Sequence, residues 1–580
     1  MTVRKGLSML FFLVALVSVR AQEIFVDYSL GEKYSDRYKY STVLSISGSE
    51  NGQTVLVRTY YGGMPLRPKG HFVELYDAEL NLVEDYNNKY AGQYMVDGFV
   101  KNGQLCLLEL LYNKKEQAYQ YVVHQSALGN FDFTEKVLLS IPSKEVVNPL
   151  AVNKYSRKFG DGFSTAVHFN KQKSAFVITV YHREGNDRKY HIYLFGTDLK
   201  QHINYDFTEQ IQEKNYAFEN IEVSKDLQTV YLMGKAFFKK RRFDAKERRY
   251  QYELVRVTDS GHQTQEFNEA GRFTESLKPI LTDNELITVG FYADRKDNRY
   301  NGLVYFKLDP STLAVRSKKY NPFSKQFMMD KFGREIDAEI KNLIFKDVHI
   351  TPKKDIIFSA EEYFVTQGED IGVGGSKKTD RFHYNDIVCA KLNANGEMEW
   401  ARNINKTEVT QGDAAYASYT AYGEGDDMYF FINSGENPYK ISKERILFKQ
   451  GYSKTPNMFV IKIDSDGNLA YKKLIDDKEV RLPIMVSKPL IDKASDKLLF
   501  YAKRGNRKQL VKVKMGNTSS SLKQWFFVLS APSLSYIYFG YALINDCFKH
   551  YLFKYGLYLV SDLQIVTRNR LKINTILNQL

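Results

Sequence analysis

Residues 458–471 recur in weaker form along most of the chain, and repetition of that kind leaves few folds open. Met458-Phe459-Val460-Ile461-Lys462-Ile463 reads as a strand, Asp464-Ser465-Asp466-Gly467-Asn468 as a tight turn, and Leu469-Ala470-Tyr471 as a returning strand. Each copy follows the same grammar: a short strand A, a polar turn, an apolar run B, a loop of variable length, an alternating strand C, a turn rich in Asp, Asn or Gly, and a returning strand D. Run B falls at 54–61, 105–112, 175–181, 229–237, 285–292, 355–364, 428–433 and 497–501. Strand C falls at 71–76, 120–124, 191–195, 250–257, 302–308, 386–392, within the 458–471 stretch, and at 509–515.

Corresponding C strands lie about 50 to 85 residues apart, and four strands per unit at that period mean an all-β chain, a β-propeller of four-stranded blades. One such unit cannot bury both faces of its sheet alone, so the units must pack on one another. The eighth copy lacks a D strand. Residues 23–30 are strand-like and have no A, B or C of their own. They are expected to complete the last blade and close a ring of eight; a loose N-terminal strand would leave seven complete blades. Phe327, Phe332, Ile336, Ile340 and Leu343 fall at helical spacing, which predicts one inserted helix near 325–342.

The segments Ile461-Lys462-Ile463-Asp464-Ser465-Asp466-Gly467-Asn468 and Ala390-Lys391-Leu392-Asn393-Ala394-Asn395-Gly396-Glu397-Met398-Glu399-Trp400 resemble blade repeats of secreted bacterial β-propeller proteins. The pattern is Lys-hydrophobic-Asp-x-x-Gly-x-hydrophobic-x-Trp, a good match in these two copies and partial elsewhere. The resemblance implies a binding or interaction scaffold over residues 23–515, not an activity.

Both ends fall outside the repeat. Arg4 and Lys5, the uncharged run 7–19 and the small residue Ala21 before Gln22 read as a secretory signal peptide over 1–21. That predicts export to the periplasm, the outer membrane or the medium, with the propeller at 22–515. Three widely spaced cysteines, Cys106, Cys389 and Cys547, imply no disulfide framework. The tail, 516–580, contains an uncharged stretch, 524–545, crowded with aromatics such as Trp525, Phe526, Phe527 and Tyr536. A membrane contact, extra strands or a sequence foreign to the fold are the readings open to it.

No nucleophile elbow, zinc-protease helix, C-x-x-C pair or phosphate-binding glycine loop is present, so neither a catalytic residue nor a cofactor or metal is expected. Charge is the one pattern above background. The chain carries a formal +14, yet the eight B–C loops alone sum to about +17, while turns such as Asp77-Ala78-Glu79 and Asp464-Ser465-Asp466-Gly467 are acidic. All B–C loops of a propeller emerge at one end, so the body is expected to be basic on that face. The expected anion-binding residues are Lys239, Lys240, Arg241, Arg242, Lys246, Arg248 and Arg249 in one loop and Arg504, Arg507 and Lys508 in another. A solvated hairpin extension is the alternative for the first set. The partner expected is an anionic glycan, a lipid headgroup or an acidic protein; export argues against nucleic acid. A glycan hydrolase or lyase with its site at the central channel mouth, and a structural subunit of an envelope assembly, are the competing functions. The long loops 365–384 and 434–456 are expected over the same face.

Overall fold

The computed structural model describes residues 24–516, except 144–162, 240–247 and shorter internal stretches of one to five residues. The expected signal peptide, 1–21, the 524–545 stretch and Cys547 lie outside the described residues. Within them the chain is built almost wholly from antiparallel sheets, each a meander of successive strands, as in a β-propeller. The first strands of eight such sheets are Tyr40–Gly48, Tyr94–Lys101, Ser164–Phe169, Lys214–Val223, Arg272–Leu281, Leu343–Ile350, Thr420–Glu424 and Leu490–Asp492. The sheets are numbered here in that order. The eighth consists of Leu490–Asp492, Lys497–Arg504, Arg507–Met515 and, as its fourth strand, Val26–Leu30 from the other end of the chain. That strand pairs with Arg507–Met515 in a register running from Val26 opposite Met515 to Leu30 opposite Val511.

The core is divided among the sheet interfaces. Each apolar cluster draws on two successive sheets: Val57 and Val73 of the first meet Leu105 and Leu107 of the second, and Phe291 of the fifth meets Phe358 of the sixth. The eighth sheet shares one cluster with the seventh, through Val26, Phe500 and Phe431, and another with the first, through Tyr501, Leu510, Leu56 and Tyr76. Each fully buried side chain of this kind contributes about 1.5–3 kcal/mol relative to exposure.

The repeat motif has a packing role at these interfaces. Asp464 caps its own turn, accepting from the backbone N–H of Asp466 and Asn468 at 3.0 and 2.8 Å, and Gly467 takes a φ of +82°. The turn then docks on the fourth strand of the preceding sheet, where Trp400 Nε1 donates to Ser465 O at 2.9 Å. Asn393 and Gly396 repeat the device against the fifth sheet, with Asn321 Nδ2 donating to Gly396 O at 2.9 Å. Three copies without the glycine place a leucine in the same left-handed region: Leu80, Leu199 and Leu313, at φ of 71°, 62° and 60°. All three side chains are buried. A left-handed non-glycine residue is strained by about 1–2 kcal/mol, which burial of the leucine offsets.

Two expectations are corrected. The inserted helix spans only Lys325–Phe332: Gly333, at φ 73°, ends it, and Ile340–Lys341 pairs as strand with Arg299–Tyr300. The segment 365–384 is not a loop. Ile356–Gly372 and Gly375–Leu392 continue as one long hairpin, paired from Ile356 opposite Leu392 to Gly372 opposite Gly375. Part of 434–456 also pairs, with Ile446–Lys449 adding to the edge of the sixth sheet beside Met398–Thr410.

Candidate functional site

The structure separates the expected basic residues into three groups. Lys240, Arg241, Arg242 and Lys246 lie outside the described residues. Arg504 and Arg507 are exposed and stand opposite each other at the tip of the last B–C hairpin, and Arg249 is also exposed. Lys239, half-buried, donates through Nζ to the carbonyl of Ile211.

Arg248 and Lys508 are buried and already paired, which removes them from an exposed anion-binding face. Arg248 Nη1 contacts Glu275 Oε2 at 3.1 Å and donates to Thr274 O at 2.9 Å, with its guanidinium over the Phe273 ring. Lys508 joins a network between the eighth and first sheets. Its Nζ meets Glu74 Oε1 and lies 3.5 Å from Asp36, while Arg58 binds Glu74 at 2.6 Å and Asp36 at 2.7 Å. Strand alternation is the cause: Arg507 points out, and Lys508, one residue on, points in. The carboxylates that receive these cations lie far away in sequence.

Other exposed cations share the B–C end. On the first sheet's hairpin, Arg67 and Lys69 are exposed, beside Met64 and Leu66, which are also exposed. Arg504, Arg507, Arg67 and Lys69 make no ion pair among the described residues. Like charges opposed across a hairpin destabilise it. The Arg504–Arg507 arrangement is therefore unfavourable for folding and favourable for an incoming anion.

A second cluster was not anticipated. The pairing of first to second strands shifts register between Met95 and Asp97, Phe218 and Asn220, Glu275 and Lys278, and Phe345 and Asp347. Such bulges re-aim side chains. Glu222 of the fourth sheet, Lys278 of the fifth and Asp347 of the sixth are electrostatically coupled to one another or to Lys171. Lys171, in the turn after the third sheet's first strand, reaches Asp347 Oδ1 at 2.8 Å. Burial pushes the Glu222 carboxyl up to about 7, against the pull of Lys278 and Lys171. Burial, with Lys171 nearby, pushes the Lys278 ammonium down. His349 is held below the usual imidazole range by burial, and its ring approaches Gly425 O at 2.8 Å. Lysines and acids on separate first strands carry no local pattern, so no sequence signal groups them.

Among the described residues no group of His, Cys, Asp or Glu is placed to hold a metal ion, and no helix is long and apolar enough to cross a membrane. No family model matches the chain, and no curated protein matches it. Among solved structures, the β-propeller domain of the Trilobed protease from Pyrococcus furiosus is 8% identical, with a TM-score of 0.32, covering 76% of this chain and 97% of that one. The polysaccharide lyase Uly1 is 10% identical, with a TM-score of 0.34 and coverages of 86% and 93%. An oligogalacturonate lyase in complex with manganese is 7% identical, with a TM-score of 0.32 and coverages of 86% and 99%.

Proposed function

We propose that residues 22–515 form an exported, eight-bladed ring closed by the N-terminal strand, acting as a non-catalytic binding scaffold. Its B–C face takes an anionic partner: a glycan, a lipid headgroup or an acidic protein. The observation that carries this reading is the opposed, exposed and unpaired Arg504–Arg507 pair. It sits on the sheet that packs against the one bearing exposed Arg67 and Lys69. Buried cations elsewhere, such as Arg58 and Lys406, have carboxylates at 2.6–3.2 Å. The surface cations at the B–C end are left for something else.

The test uses the mature protein against three probes: a sulfated glycan, vesicles containing an anionic phospholipid, and polyglutamate. Binding to one of them that weakens with salt supports the reading and names the partner class. Equal binding to neutral counterparts, or none to any probe, refutes it. N-terminal sequencing of the expressed protein tests export, with cleavage expected after Ala21 and an uncleaved chain as the contrary result.

A further inference from the structure

We propose that the axis of the propeller, at the level of Glu222, Lys278 and Asp347, is a binding site for a small oxyanion of the carboxylate or phosphate class. It is distinct from the B–C face. The argument begins with topology. First strands run beside one another: the fourth sheet's beside the fifth's, the fifth's beside the sixth's, and the sixth's beside the seventh's. Successive sheets would not bring Lys171 of the third to Asp347 of the sixth, yet their side chains meet at 2.8 Å. The pair therefore reaches across from one side of the axis to the other. Lys173, in the same turn, reaches the other way, to Asp97 of the second sheet at 3.8 Å.

Lys278, half-buried, stands between these anchors. Among the described residues it forms no ion pair and no side-chain hydrogen bond; its Nζ lies 5.0 Å over the Phe345 ring. Glu222 likewise has no hydrogen-bonded partner among the described residues. A half-buried ammonium without a counter-charge, close to other lysines, favours an incoming anion. The surroundings supply too little. Lys171, Lys278 and Lys493 face Asp347 and Glu222, Asp347 is already engaged by Lys171, and Glu222 is held near neutrality. A bound oxyanion would accept from Lys278 and draw Lys171 partly away from Asp347. A protonated Glu222 could donate to it.

The test is calorimetric titration of the mature protein with inorganic phosphate and, separately, with acetate. Saturable binding of either with a Kd of about 1 mM or tighter is expected. Lys278→Met should weaken it about tenfold or more, and Lys278→Arg should retain it. A further readout holds even without ligand: Lys278→Met should melt higher than the parent, because it removes an unpaired positive charge from beside Lys171. Absence of saturable binding, or parental binding by Lys278→Met, would overturn the proposal. Loss of binding in Arg504→Gln/Arg507→Gln, with parental binding by Lys278→Met, would assign the anion to the B–C face and overturn the proposal.

Discussion

Trp400 and Gly467 interlock the sixth and seventh sheets: a Cβ on Gly467 would lie 2.9 Å from Trp400 Cγ, and the indole N–H is held by Ser465 O. The glycine thus serves both its φ of +82° and the close approach of the ring. Gly467→Ala is expected to destabilise the protein by about 1–3 kcal/mol in urea unfolding, through backbone strain and displacement of the indole. Trp400→Ala should cost about 3 kcal/mol or more. At the equivalent turn of the first sheet, Leu80→Gly is expected to destabilise despite relieving a positive φ, because Leu80 is only 2% exposed.

The network joining the eighth sheet to the first is sensitive to removal of single partners. Glu74 is 1% exposed and receives both Arg58 and Lys508. Glu74→Gln leaves two enclosed cations short of a counter-charge and should cost about 3–5 kcal/mol. Replacing Arg58, Asp36, Glu74 and Lys508 together by apolar residues should cost much less than the sum of the single changes. Thermal unfolding of the single and quadruple variants checks this.

Pairing of the N-terminal strand makes the fold depend on both ends of the chain. Ser29 lies opposite Lys512, two residues before Gly31, whose N–H donates to Leu510 O, so Ser29 is at a hydrogen-bonded position and Ser29→Pro removes a backbone donor from that ladder. Loss of about 3 kcal/mol is expected, with hydrogen exchange accelerated first in Arg507–Met515. Unchanged protection there would show that the strand contributes nothing to the eighth sheet.

Glu222 gives the stability a pH dependence of known sign. Its carboxyl is raised to about 7 by burial, so the folded state holds a proton that the unfolded chain releases at lower pH. The stability linked to that proton is present in full below the usual glutamate range and is lost as pH rises to 7. The loss should be on the order of 1–2 kcal/mol after solvent screening. Glu222→Gln should flatten the slope between about pH 5 and 7 and be the more stable form at higher pH. Denaturant midpoints across that range provide the measurement.

The strands and turns were legible because their signals are local. Alternation marks Met458 to Ile463, and Asp464 with Gly467 marks the turn by its own chemistry. The strand Val26–Leu30 stood out because it has no partner nearby in sequence. The helix was overextended because Ile336 and Ile340 keep helical spacing after Gly333 has already ended it. Among the cations, Arg248 and Lys508 were misplaced because burial depends on Glu275 and Glu74, which a loop count cannot see. The cluster around Lys278 was invisible for the same reason, since its members come from separate sheets.

The most direct test of the binding face is the salt dependence of affinity for whichever anionic probe binds, compared between the parent and Arg504→Gln/Arg507→Gln. If the exposed arginines form the face, the parent's affinity falls steeply with ionic strength. The double variant then binds at least about tenfold more weakly at low salt, with a shallower slope and an unchanged melting temperature. Superimposable salt curves for the two proteins would contradict the account.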